Sequence, residues 1–193
     1  MWNSLNNIEI NVLDFITENF KCAFLDMVMP FITSFSEDGI FFIALAIVLL
    51  FFKKTRRVGL MIGSALLMGF IVGNLTLKPL LARVRPYEFN EIFDKGMLLV
   101  ETLADNSFPS GHTLAAFEGC VVLFATQKKH IGIPALVLAF LIAFSRLYLY
   151  VHYPTDVICG MILGTAFALL SVYLINKAYA KYEGVKNDRD ETL

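Results

Sequence analysis

Apolar residues in this chain come in long unbroken runs, and the charged residues collect between them. Residues 39–52, 58–77, 113–126, 131–151 and 157–178 carry at most one charge each. A helix needs about 20 mostly apolar residues to cross the hydrocarbon core of a membrane. Each run is therefore read as a crossing, the first and third borrowing flanking residues. Residues 22–35 form a weaker sixth, because they contain Asp26 and Pro30. Ahead of them, Ile8, Val12, Phe15 and Ile16 interleave with Glu9, Asp14 and Glu18 at helical spacing. That pattern predicts an amphipathic helix lying in the interface. The expected architecture is all-α: a polytopic membrane helix bundle of six transmembrane helices with an N-terminal amphipathic interfacial segment. Its parts are an interfacial helix over 1–21, a six-helix core over 22–178 and a cytoplasmic tail over 179–193, in one membrane domain.

Basic residues between the runs give a direction, since short cytoplasmic loops are rich in Lys and Arg. Lys53, Lys54, Arg56 and Arg57 form one cluster, and Lys128, Lys129 and His130 a second. Lys177, Lys181 and Lys186 form a third. With six crossings all three share the cytoplasmic face, and Lys21 places the N-terminus there too. The opposite face receives the 81–109 loop and the 151–155 corner.

Composition agrees with a membrane domain. The chain is 57% hydrophobic and 17% charged, against roughly 45–50% and 25% for soluble domains. A net charge of −1 gives no electrostatic case for nucleic acid. Cys22, Cys120 and Cys159 are widely spaced, which suits small buried hydrophobes better than a disulfide or zinc framework. Residues 1–4 lack a basic region followed by an apolar core, so no cleavable signal peptide is expected. Gly59/Gly63, Gly69/Gly73 and Gly160/Gly164 are four apart, as in helices that pack closely. Nothing in the pattern sets an oligomeric state.

Three polar islands interrupt the runs, and polar groups at membrane depth are costly. Lys78 and Arg85 end the second run. Pro109-Ser110-Gly111-His112 opens the third. Ser145-Arg146, His152 and Asp156 join the fourth and fifth. Forked guanidiniums and an ammonium suit the spread charge of a phosphate. A proline–glycine turn before a helix leaves backbone N–H groups free for an anion, and Ser110 can cap that helix. Pro154 breaks any helix through His152 and Asp156. Asp156 then falls in the first turn of the last helix, where it can accept from His152 as the orienter of a base or nucleophile. His112 can protonate a leaving oxygen. The residues alone do not say which histidine attacks. Each island has a plain structural explanation by itself; their meeting on one face does not. Arg83 and Lys95 are read as ordinary interfacial side chains whose charges reach toward water.

These residues resemble the type 2 phosphatidic acid phosphatase superfamily of integral membrane lipid phosphatases. Its three signatures stand complete and in order as Lys78 through Arg85-Pro86, Pro109 through His112, and Ser145-Arg146 through His152 and Asp156. The resemblance implies that His152 is the nucleophile of a phosphohistidine intermediate and that Asp156 orients it. It implies that His112 is the acid for the leaving group. Lys78, Arg85, Ser110, Gly111 and Arg146 would hold the phosphoryl oxygens, with no metal or other cofactor. The expected partner is a membrane lipid. Undecaprenyl pyrophosphate is the first choice, because a short chain resembles the compact bacterial members. Phosphatidylglycerophosphate or phosphatidate is the alternative. Related vanadium haloperoxidases are soluble, which this composition opposes, and a non-catalytic lipid-binding or transport protein would show decayed signatures. Glu118 lies in mid-run, on a different face from His112 at about 100° per residue, and is left outside the catalytic set.

Overall fold

A computed structural model describes the backbone of residues 2–190 and side chains as far as residue 183. Residues 191–193 of the expected tail, and the side chain of Lys186, lie outside the described residues. All regular structure among the described residues is helical. In chain order the helices are α1 (Asn3–Phe20), α2 (Ala23–Ser34), α3 (Ile40–Phe51) and α4 (Arg56–Gly69). Then follow α5 (Lys78–Leu81), α6 (Pro86–Phe89), α7 (Gly111–Thr126), α8 (Lys129–Tyr148) and α9 (Pro154–Asp190). A tight turn with left-handed backbone at Asp38 and Gly39 joins α2 to α3. Between α4 and α5 the helix widens into a π-helical stretch, Phe70–Leu77.

Four stretches are long and apolar enough to cross a membrane: Ala23–Phe51, Arg56–Phe89, Lys129–Tyr148 and Pro154–Glu183. Helix α7 is apolar but shorter, at 16 residues. It is the hub of the bundle, packed against α4, α8 and α9. Small residues permit these contacts. A Cβ at Gly164 would lie 2.7 Å from the Leu114 carbonyl and 2.8 Å from Phe117 Cβ, and one at Gly160 would lie 2.9 Å from the Ser110 carbonyl. Gly59 does the same for α4 against α3, where a Cβ would meet the Ala46 carbonyl at 2.7 Å. At Gly63 the nearest neighbour is 4.0 Å away, so close packing does not require that glycine.

The two ends of the bundle differ. At one end the α3–α4 loop carries Lys53, Lys54, Arg56 and Arg57, and Arg57 stacks over the Tyr179 ring of α9. At the other end lie the 82–110 loop, the 149–153 corner and the starts of α7 and α9.

The N-terminal region departs from the sequence reading. Its polar residues do not all face solvent. Asn6 and Glu9 are buried, together with Ile10, Leu13 and Ile16, while Ile8 and Phe15 are exposed. Buried polar partners explain this: Asn6 and Glu9 turn inward to meet Arg83. Lys21 and Asp26 do not lie with the Lys53–Arg57 cluster either. They line a recess with Phe93, Met97 and Tyr148 at the opposite end, and Asp26 accepts from the Tyr148 hydroxyl at 2.7 Å. Helix α2 has 12 residues, or about 18 Å at 1.5 Å per residue. Its later residue Thr33 accepts from Arg146 near that same end.

Candidate active site

The chain turns sharply between α8 and α9, and Tyr150 takes a left-handed backbone there. This corner buries His152, which is 1% exposed. Its Nδ1 lies 3.5 Å from Asp156 Oδ2, somewhat beyond an ordinary hydrogen bond. Ser107 sits beside both, donating to the same Oδ2 at 2.5 Å and lying 3.4 Å from Nδ1. On the other side of the ring, Arg85 Nη1 is 3.3 Å from Nε2. A guanidinium only donates. Its placement therefore assigns the proton to Nδ1, facing Asp156, and leaves the Nε2 lone pair facing the cations. Burial, then the charges of Arg85, Arg146 and Lys78, hold the His152 pKa well below the usual imidazole value.

The cations converge on a carboxylate that the sequence reading missed. Asp105 forms ion pairs with Lys78 and Arg85, the second at 2.5 Å, and its backbone carbonyl accepts from Arg85 Nε at 2.9 Å. Burial pushes the Asp105 carboxyl up, but Lys78 and Arg85 outweigh it and hold the pKa at about 2. A lone aspartate in a loop carries no periodic signal. Its one clue is a position five residues before Ser110.

The start of α7 completes the wall. Ser110 Oγ accepts from Thr113 N at 3.4 Å and from Thr113 Oγ1 at 3.0 Å, so this side chain caps the helix. Its backbone N–H donates to the Asp156 carbonyl at 3.1 Å, tying α7 to α9. A Cβ at Gly111 would lie 3.5 Å from Lys78 Nζ, so the absent side chain leaves the ammonium and backbone open to a ligand. The His112 carbonyl accepts from Ser36 Oγ at 2.7 Å, which fastens the α2–α3 turn to the site.

Lys78, Arg85, Gly111, His112 and His152 line one cavity of ≈ 930 Å³. Ser110, Arg146 and Asp156 lie behind its wall. Arg146 is 2% exposed and bonds Thr33 Oγ1 at 2.5 Å, with its Nε unpartnered. From the polar end the cavity runs between α3 and α4, past Ile43 and Leu67, as far as Leu50 and Gly59 near the basic end. Glu118 lines it at mid-depth and is 1% exposed, with one carboxyl oxygen lacking a protein partner. Its carboxyl presses on Gly69, where no Cβ would fit.

Arg83 is the main correction. It does not reach toward water; it is 0% exposed and pairs with Asp156 at 2.6 Å and with Glu9. Desolvating a guanidinium is unfavourable unless its donors are matched, and here Asn6, Glu9, Thr155 and Asp156 match them.

Cations, an imidazole and an aspartate thus meet at one end of a multi-pass helical membrane bundle. The chain belongs to the PAP2 superfamily, whose profile matches residues 57–180. It is 33% identical over 169 residues to the undecaprenyl-diphosphatase of Sulfolobus acidocaldarius, covering 87% of this chain and 80% of that one. Among solved structures it resembles Aquifex aeolicus LpxE, with a TM-score of 0.73 and 27% identity over 86% of this chain and 95% of that one. The fold is also that of the PAP2 type phosphatidylglycerolphosphate phosphatase from Bacillus subtilis, with a TM-score of 0.70 and 24% identity. That match covers 93% of this chain and 88% of the other.

Proposed function

We propose that this protein is a metal-independent lipid phosphatase that removes the terminal phosphate of undecaprenyl pyrophosphate through a phosphohistidine on His152. The assignment of His152 Nε2, unprotonated and facing Arg85, carries the mechanism. In the first step Nε2 attacks the terminal phosphorus, and the bond to the bridging oxygen breaks. His112 gives that oxygen a proton, and the lipid monophosphate leaves. Asp156 accepts from Nδ1–H and stabilises the charge that forms on the ring. Water then attacks phosphorus, passes its proton to His112, and the P–N bond returns its electron pair to Nε2. Lys78, Arg85 and the Gly111 backbone neutralise the phosphoryl oxygens as charge builds. Ser110 and Arg146 shape that pocket from behind.

The cavity that leads from these cations down between α3 and α4 suits a long hydrocarbon tail, and the Sulfolobus relative supports the diphosphate head. Phosphatidylglycerophosphate or phosphatidate is the second reading, because the same cations suit a phosphomonoester.

For topology we infer five crossings, by α3, α4 with its π-helical extension, α7, α8 and α9. Helices α1 and α2 then dock on the outer face beside the site. The N-terminus would lie outside and α9 would end in the cytoplasm, where the basic clusters belong.

Purified protein is expected to release orthophosphate from undecaprenyl pyrophosphate with EDTA present. His152→Ala and His112→Ala should each abolish turnover. Loss of activity on chelation, or full activity in His152→Ala, overturns the mechanism. Comparing rates on the diphosphate, phosphatidylglycerophosphate and phosphatidate decides the lipid.

A further inference from the structure

Asp156 is aimed by a cation that the N-terminal helix holds. All five N–H donors of Arg83 are spoken for. Nε donates to Asn6 Oδ1 at 3.0 Å, and Nη2 donates to the same oxygen at 2.7 Å and to Glu9. Nη1 donates to Thr155 Oγ1 at 2.7 Å and to Asp156 Oδ1 at 2.6 Å. The guanidinium also lies against two aromatic rings, 3.8 Å from the centroid of Tyr153 and 4.5 Å from that of Trp2. Glu9 in turn accepts from the Thr155 backbone N–H at 2.6 Å and from its hydroxyl at 2.9 Å, gripping the first turn of α9.

A carboxylate is a rigid fork, so fixing one oxygen fixes the direction of the other. Arg83 pins Oδ1 of Asp156, while Ser107 Oγ and Tyr153 N meet Oδ2. That leaves Oδ2 facing the His152 ring. Arg83 does not line the cavity, so it acts on the reaction only through Asp156. We propose that Arg83 is a positioning residue for the reaction, and that α1 completes the site by aiming it through Asn6 and Glu9. This rests on the His152–Asp156 assignment made above. It gives the N-terminal helix a catalytic task in place of a passive one at the membrane surface.

The test uses the full chain in detergent micelles with undecaprenyl pyrophosphate, and each variant is first checked for a single folded species. Arg83→Met is expected to lower kcat about 100-fold, with KM changed by less than about twofold. Arg83→Lys should recover part of that loss, since an ammonium can pair with Asp156 but cannot span every partner. Glu9→Gln should lower kcat about tenfold, and Arg83→Met/Glu9→Gln should be no slower than Arg83→Met alone, because Glu9 acts through Arg83. Glu18→Gln, exposed on the same helix, should match the wild type. A full-rate Glu9→Gln, multiplicative losses in the double variant, or losses confined to KM would overturn the proposal. If Arg83→Met does not fold, the kcat and KM of Glu9→Gln decide. Activity surviving in His152→Ala would instead sink the underlying mechanism, so the two failures read differently.

Discussion

Asp105 and Arg85 face each other carboxylate to guanidinium at 2.5 Å, on the cations that a phosphate would use. The carboxylate thus sits where a ligand oxygen belongs. Asp105→Asn should therefore bind inorganic phosphate or vanadate more tightly, by about three- to tenfold, because an anion no longer competes. Competitive inhibition constants measure this, and an unchanged or weaker constant would count against it.

The same pair has a pH signature. The folded Asp105 pKa, about 2, lies below the ordinary carboxylate value of 3.8. A depressed carboxylate contributes stability that is full above its unfolded pKa and is lost as pH falls through the folded one. The difference in Tm between wild type and Asp105→Asn should be flat above about pH 4 and shrink toward pH 2. A difference that instead collapses between pH 5 and 7 would contradict the pairing.

His152 should be ready to attack in mildly acidic solution. Its pKa lies well below 6.5, through burial and then the neighbouring cations. The acid limb of kcat/KM should therefore fall well below 6.5, and Arg85→Gln should move it upward. An acid limb at about 6.5 that is indifferent to Arg85 would mean that His152 titrates as a free imidazole.

Placement of α1 beside the site makes a labelling prediction. In a background without Cys22, Cys120 and Cys159, cysteines at Asn19 and Ile92 should react together with an impermeant reagent in intact cells. A cysteine at Lys54 should react only after lysis. Asn19 labelling in step with Lys54 would restore a sixth crossing.

Gly164→Ala tests the α7–α9 contact. The added methyl would meet the Leu114 carbonyl at 2.7 Å. Overpacking of this kind costs about 1–3 kcal/mol. A lowered Tm is expected in detergent, while Gly63→Ala, whose added methyl would only touch Ala46 Cβ at 4.0 Å, should leave Tm nearly unchanged.

The long helices and the three islands were legible because each rests on a local rule. Apolar run length marks a helix that crosses, and Pro154 marks where α9 starts. What escaped the sequence depends on partners distant in the chain. Arg83 is indistinguishable from a surface arginine until Glu9, 74 positions away, is placed beside it. Asn6 and Glu9 share a face with Leu13 and Ile16, and that mixed face was the signal that the helix docks rather than floats. Crossing number depends on distant partners in the same way. Run length cannot tell a short helix that spans from one that lies along the bundle's end, and here Asp26 and Thr33 both meet the end of α8.

Helix α7 is 16 residues long, which gives it a length of about 24 Å inside a hydrocarbon layer of about 30 Å. A shortfall of about 6 Å, if taken up at its Ser110–His112 end, would set the site below the membrane surface. A lipid would then bring its head group down to the chemistry, and no part of its tail would have to leave the membrane for the bond to break.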